Sequence, residues 1–185
     1  KNLIDVCAAP GGKSILLQSL GFNVLAIDKS QNQINKFEEN LNRLNIKINI
    51  QKLDFLKKKF TDKFNSILLD APCSALGTFR RNPDVTVKID PSQIKKHQKT
   101  QIQMLEKSLK MLNNGGLLVY IVCSFHPFET IDVIDKIIQK HKNVKIHNIE
   151  TDKMIKRQNG YFINPLSFKD IGGSDIFFVS VLEKI

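Results

Sequence analysis

The sequence predicts an α/β protein whose strands form a mostly parallel, doubly wound sheet. Three observations point there. Short apolar runs alternate with amphipathic helical stretches along all 185 residues. Five of those runs lead to an acid, a cysteine or a glycine turn, at Cys7, Asp28, Asp54, Asp70 and Cys123. In a doubly wound sheet such strand ends face one crevice, where ligands bind.

The elements follow in order. Residues 3–7 form an apolar run of strand type, and residues 14–20 open a helical pattern. Between them lies Pro10-Gly11-Gly12, so Asp5-Val6-Cys7-Ala8-Ala9-Pro10-Gly11-Gly12-Lys13-Ser14 reads as a strand, a tight loop and a helix N-terminus. Residues 24–27 are a second strand, ending at Asp28. Residues 31–44 place Ile34, Phe37, Leu41 and Leu44 on one helix face, with Ser30 as the N-cap. Residues 46–50 alternate like a strand and lead to Asp54, and residues 66–70 are a buried-type strand ending on Asp70.

A long loop then passes Pro72, Gly77, Pro83 and Asp90. Pro91 occupies a favoured first helical position, and the helix runs to about Asn113 with Ile94, Ile102, Leu105, Leu109 and Leu112 as core residues. Asn114-Gly115-Gly116 stops it. Residues 117–123 are the most apolar strand, residues 127–140 are helical, and residues 144–149 and 176–182 complete a seven-stranded set. There are no repeats and no interdomain linker, so residues 1–185 read as one domain.

Composition narrows the partners. An apolar fraction of 42% and a charged fraction of 25% are ordinary for a globular chain, and no apolar run reaches membrane length. The net charge of +10 suggests a polyanion, nucleic acid first, although lysines are spread along the whole chain. Three widely spaced cysteines form neither a disulfide framework nor a zinc knuckle, and the scattered histidines match no metal-ligand spacing. We therefore expect a reducing, cytoplasmic setting, no metal, no membrane partner and a monomer. Because the chain begins inside a core strand, we also expect a fragment that lacks an N-terminal extension.

Three ligands compete for the glycine loop, beside the plain reading of a tight turn. A Walker A loop shares Gly12-Lys13-Ser14, but Cys7 stands at its leading glycine, and Pro10 removes an N–H that a phosphate cradle would use. The G-x-G-x-x-G dinucleotide fingerprint is absent. A nucleoside without a polyphosphate remains. Asp28, twenty-three residues after Asp5, is placed to accept hydrogen bonds from two ribose hydroxyls. S-adenosyl-L-methionine fits, with an adenosine for Asp28 and an amino acid end for the loop.

Two further cysteines sit at strand ends, in Asp70-Ala71-Pro72-Cys73-Ser74 and Val122-Cys123-Ser124. A thiolate can add to carbon 6 of a cytosine ring and so make carbon 5 nucleophilic enough to take a methyl group. A carboxylic acid near ring nitrogen 3 assists by sharing a proton, and Asp70 is placed for that. A second thiol can assist the elimination that follows. Spacing alone does not say which cysteine attacks. Cys7 reads as a small core residue.

The loop from Asp5 to Ser14, Asp70-Ala71-Pro72-Cys73-Ser74 with Gly77 and Arg80-Arg81-Asn82-Pro83-Asp84, and Tyr120-Ile121-Val122-Cys123-Ser124 with Pro127 and Glu129 together resemble the successive motifs of the Sun/Nol/Nop family. These are S-adenosylmethionine-dependent RNA cytosine-5 methyltransferases, and the members acting on bacterial small-subunit ribosomal RNA are the most similar. The resemblance covers essentially the whole chain. It implies a class I, Rossmann-like methyltransferase fold of seven strands with helices on both faces and an antiparallel last strand. It implies Cys123 as the nucleophile and Cys73 as the thiol that helps release the product. It also implies a cofactor site of Cys7, Ala8, Ala9, Pro10, Gly11, Gly12, Lys13, Asp28, Asp54 and Asp70, with RNA, ribosomal in the first instance, as partner.

In the loop after Cys73, Arg80 and Arg81 are placed to grip RNA phosphates. DNA cytosine methyltransferases attack from their Pro-Cys, which keeps Cys73 open as the nucleophile. Ala75 replaces the family's usual glycine, Val122 its threonine, Val87 stands near its usual tryptophan, and Ile176 replaces the glycine of an Asp-Gly-Phe-Phe ending. None of these removes a reacting atom. A tRNA substrate, a P-loop-like nucleotide-binding protein and a non-catalytic basic RNA-binding module are the other readings.

Overall fold

The computed structural model describes residues 2–185. Strand β1 (Asn2–Val6) leads through the glycine loop into helix α1 (Gly12–Ser19), then β2 (Asn23–Asp28), α2 (Gln31–Leu44), β3 (Asn49–Lys52) and β4 (Phe64–Asp70). The loop after β4 contains a 3-10 turn over Leu76–Thr78 and the short helix α3 (Val85–Lys88). Helix α4 (Pro91–Met111) and strand β5 (Leu112–Val122) follow, then α5 (Ile131–Lys140), β6 (Val144–Ile146), β7 (Ile155–Arg157), β8 (Gly160–Ile163) and β9 (Phe177–Lys184).

The sheet order is β3-β2-β1-β4-β5-β9-β8-β7, with β6 also pairing β9. Strands β1 to β5 are parallel, and β9 runs antiparallel against β5. Strand β8 lies beside the first half of β9 and β6 beside its second half, so together they fill one position in the sheet. Because both are antiparallel to β9, they share the direction of β5; only β7 and β9 oppose it.

The seven-strand expectation is therefore corrected to nine strands among the described residues. The sixth position is interrupted, and β7–β8 is a hairpin over residues 155–163. Its β7 strand, Ile-Lys-Arg, is exposed at every residue and lacks the apolar alternation that marks a half-buried strand. The third strand also begins later than its alternation suggests, at Asn49 rather than Ile46.

Strand side chains alternate between two faces with period two, and helices cover both. Ile4, Val6, Ile67, Leu69, Leu118 and Tyr120 pack with Met104, Leu105 and Leu109 of α4 and with Ile134 and Ile137 of α5. On the other face Leu3, Val24 and Leu68 meet Leu17 of α1, while Ala26 meets Phe37 and Leu41 of α2. Ser30 caps α2 by accepting from the Gln33 N–H, and Asp90 caps α4 by accepting from the Ser92 N–H. Helix α4 ends at Met111, and Leu112 already belongs to β5. The helix expected over residues 127–140 opens instead as a 3-10 turn, Pro127–Glu129, before α5 begins. No described helix is long and apolar enough to cross a membrane.

Candidate active site

The parallel topology brings the carboxyl ends of β1, β2, β3, β4 and β5 to one edge of the sheet, and the loop after β1 lies across it. Its N–H groups are largely spoken for. Ala8 N–H donates to the Ile27 carbonyl at 3.0 Å, Ala9 N–H to the Asp28 carboxylate at 3.2 Å and Gly11 N–H to the Ala8 carbonyl at 2.9 Å. Gly11 has φ of 102°, and a Cβ there would overlap the Phe37 ring, so only glycine lets the loop settle onto α2. Cys7 also has a positive φ, 63°, which turns the chain sharply out of β1.

Two cavities flank this loop. A cleft of about 650 Å³ is lined by Cys7, Ala9, Pro10, Asp28, Asp54, Asp70, Cys73 and Cys123, with Ile27, Leu53, Phe55 and Met104 as its apolar wall. A smaller cavity of about 280 Å³ is lined by Asp5, Ala8, Ala9, Pro10, Gly12, Lys13 and Asp70. Of the residues assigned to the cofactor from sequence, Gly11 alone lines neither; it packs the loop from behind. Asp70 borders both cavities, and Lys13 Nζ reaches its Oδ2 at 2.6 Å.

Asp5 is the least conventional group here. It is 1% exposed, accepts from the Ser14 hydroxyl at 2.5 Å through Oδ2, and leaves Oδ1 buried without a partner. Burial raises its carboxyl to about 7, against the lowering effect of the Ser14 bond. The folded chain thus holds this proton more tightly than the unfolded chain. Its contribution to stability is present at acid pH and is lost as pH rises through about 7. For Asp5→Asn, urea unfolding is expected to show stability relative to the parent improving by a few kcal/mol between pH 4 and pH 8. A pH-independent difference would mean that Asp5 is charged throughout.

Cys73 follows the end of β4, and Cys123 follows the end of β5. Their Sγ atoms lie 3.4 Å apart. Cys73 is pushed well above the ordinary thiol range by the S–H it shares with Cys123, by burial and by the charge of Glu129. Cys123 is held below that range, chiefly because Cys73 donates to it. The pair therefore resists two thiolates at once, and burial makes Cys73 the harder of the two to ionise. Cys7 is different: burial, then the carboxylates of Asp28, Asp70 and Asp5, raise it to about 12, so it remains a thiol.

Glu129, which the sequence offers only as part of a motif and with no role, ties the two cysteine loops together. It is 0% exposed and accepts from Ser74 N–H at 2.8 Å, Ser74 Oγ at 2.5 Å and Ser124 Oγ at 2.6 Å. Each serine directly follows one of the cysteines, and that repeated Cys-Ser pair was the available signal. The Tyr120 hydroxyl donates to the Glu129 backbone carbonyl at 2.7 Å and fixes the turn from below. Glu129→Ala leaves three donors without their acceptor, and chemical denaturation is expected to show a loss of about 2–4 kcal/mol.

Arg80 and Arg81 are exposed on the loop after Cys73. Arg81 Nε pairs with Asp175 at 2.6 Å, while the Arg80 guanidinium lies against Gly173. His126 serves its loop: its Nδ1 accepts from the Phe128 N–H at 3.2 Å. Ser14, which a Walker A loop would turn toward magnesium, is fully buried on Asp5, so the hydroxyl that reading needs is already engaged.

The chain is similar to known proteins over most of its length. The ribosomal RNA small subunit methyltransferase B of Photorhabdus laumondii is 32% identical over 189 residues, covering 100% of this chain and 42% of that protein. Its Yersinia enterocolitica counterpart is 34% identical over 164 residues, covering 86% of this chain and 38% of that protein. The chain thus spans about two fifths of the length of these curated relatives.

Among solved structures, NSun6 from Pyrococcus horikoshii, crystallised with the S-adenosylmethionine analogue SFG, superposes with a TM-score of 0.84. It is 29% identical, and the match covers 98% of this chain and 47% of that one. A methyltransferase homologue from the same organism gives a TM-score of 0.79 at 26% identity, covering 100% of this chain and 62% of that one. The family model described as 16S rRNA methyltransferase RsmB/F matches residues 1–183. The chain therefore belongs to the RsmB/F family of 16S rRNA methyltransferases, which depend on S-adenosylmethionine.

Proposed function

We propose that this chain methylates carbon 5 of a cytosine in ribosomal RNA, using S-adenosylmethionine and a transient covalent bond from Cys123. The observation that carries this reading is the Cys73–Cys123 pair, 3.4 Å apart on the wall of a cleft that also holds Asp28, Asp54 and Asp70.

The residues present fit the cofactor. Asp28 ends β2, and although each of its oxygens accepts one backbone N–H, a carboxylate oxygen has a second lone pair for a ribose hydroxyl. Ile27, Leu53 and Phe55 offer the apolar wall that an adenine ring needs. The amino acid end of S-adenosylmethionine carries both charges. Asp70 and the unpartnered Oδ1 of Asp5 suit its ammonium, and Lys13 with the α1 N-terminus suits its carboxylate. When bound, the cofactor supplies an electrophilic methyl group.

The chain's own residues do the rest. The Cys123 thiolate bonds to carbon 6 of the cytosine, and the ring electrons move so that carbon 5 becomes nucleophilic. Asp70 shares a proton with ring nitrogen 3 as charge builds there, with Lys13 holding its carboxylate in place. At release the carbon 5 proton passes to water and the C5–H electron pair re-forms the 5,6 double bond. The C6–S bond breaks to return Cys123 as thiolate, with the Cys73 S–H donating to the leaving sulfur. Cys73 assists this elimination from 3.4 Å away. Arg80 and Arg81 lie on the adjoining loop, where they can hold the RNA backbone.

Calorimetric titration separates this reading from a nucleotide-binding one. S-adenosylmethionine is expected to bind at one site per chain, and ATP with magnesium is not. Binding of ATP alone would overturn the proposal. Cofactor binding with no methyl transfer from tritiated S-adenosylmethionine to 16S rRNA would reduce the chain to a binding module.

A further inference from the structure

We propose that Phe79 and Phe125 form a stacking platform for an unpaired base of the RNA, beside the cytosine that Cys123 attacks. The inference rests on the RNA methyltransferase reading above and names a surface that reading leaves undefined.

The platform is built by the contact that joins the two cysteine loops. Gly77 N–H donates to the Cys123 carbonyl at 2.9 Å, which lays one loop against the other. Two residues farther along each loop, Phe79 and Phe125 meet edge to face, with centroids 6.3 Å apart and planes at 87°. They keep 39% and 42% of their surface in solvent, although both are large apolar side chains. An edge-to-face pair uses the edge of one ring and one face of the other, so ring faces stay free for a third π system. Phe128, 38% exposed, continues the surface along the second loop, its ring 5.1 Å from that of His126.

The chemistry of the occupant follows from the reaction and from charge. A thiolate reaches carbon 6 only from above the ring plane, so the cytosine must leave its stack, and its neighbours then lose a stacking partner. The ring faces of Phe125, two residues along the chain from Cys123, and of the Phe79 it meets would replace that partner. Arg80 and Arg81 directly follow Phe79, and the chain carries a net charge of +10, so the aromatic surface sits in a cationic setting. Aromatic faces beside guanidinium groups suit single-stranded nucleic acid, whose bases stack while its phosphates pair.

The test uses the full chain and a single-stranded RNA heptamer carrying 2-aminopurine next to a central cytosine. The fluorescence of 2-aminopurine falls on stacking, and the chain has no tryptophan to interfere. The parent is expected to quench the probe. The double variant Phe79→Leu, Phe125→Leu keeps apolar volume but loses the ring faces. It is expected to bind about tenfold more weakly and to lose the quench, with the salt dependence of binding unchanged. Arg80→Ala, in contrast, should lower the salt slope by about one while leaving the quench in place.

S-adenosylmethionine titration on the same samples reports folding and the cofactor site. Unchanged cofactor binding with equal RNA affinity and equal quenching in parent and double variant would overturn the platform and leave the methyltransferase reading standing. A parent that quenches the probe but binds no cofactor would do the reverse. Absence of any RNA binding would overturn the platform, as would self-association in sedimentation that the double variant abolishes, which would assign the aromatic patch to a contact between copies.

Discussion

Cys123→Ala is expected to abolish methyl transfer to RNA, lowering the rate by about four orders of magnitude or more, as removal of a nucleophile does. Cys73→Ala should behave differently. On the proposed roles it keeps the attacking sulfur and removes the group that assists release, so a covalent protein–RNA species resistant to denaturing electrophoresis should accumulate. The asymmetry has a physical source in the pair itself. Burial and the contact with Cys123 make Cys73 the harder thiol to ionise, and an S–H donated from it lowers the titration of Cys123.

Removing Cys73 also removes that donor. In Cys73→Ala the pH profile of adduct formation should therefore move to higher pH, because Cys123 then ionises less readily. Trapping by Cys123→Ala with an inert Cys73→Ala would reverse the roles and make Cys73 the nucleophile.

Gly77→Ala is expected to cost roughly 3 kcal/mol or more in urea unfolding and to slow adduct formation by about a hundredfold. A Cβ at Gly77 would overlap the backbone carbonyl of Ile176 and lie 3.0 Å from the carbonyl group of Cys123. Both neighbours are backbone, so neither can rotate aside as a side chain would. The same residue makes two hydrogen bonds, N–H to Cys123 and carbonyl to the Ile176 N–H, each 2.9 Å. A methyl group there pushes apart three segments at once: the Cys73 loop, the Cys123 loop and the entry to β9. A variant of unchanged stability and unchanged adduct rate would show that the loops accommodate the methyl group without parting the two sulfurs.

Two residues from Gly77, Ala75 sits at φ of 59°, a left-handed conformation that glycine adopts more readily, and there the cost falls on one turn rather than on three contacts.

Most of the sheet was legible in the sequence because its strands are buried on both faces. Such strands appear as continuous apolar runs, as residues 117–122 do, and their ends coincide with charged or turn residues. The glycine loop, Asp28, Asp54, Asp70 and the two cysteines were found in the same way, since each lies at the end of a run and the parallel topology brings those ends together. The β7–β8 hairpin was missed because an exposed strand at the sheet edge buries too little to leave a pattern. The interruption between β6 and β8 was missed because it arises from how two short segments share one side of β9.

By itself, then, the sequence determined the α/β class, the order of the main strands and which residues are candidates for the site. These depend on side-chain type and on spacing along the chain. Tertiary structure alone decided which atoms meet. The 3.4 Å separation of the two sulfurs joins residues fifty positions apart. The Glu129 clamp, the orphaned oxygen of Asp5 and the Phe79–Phe125 pair likewise join segments that no local pattern relates. Spacing along a chain encodes helices and strands, whereas distances between loops depend on how those elements pack, and that packing exists only in the folded molecule.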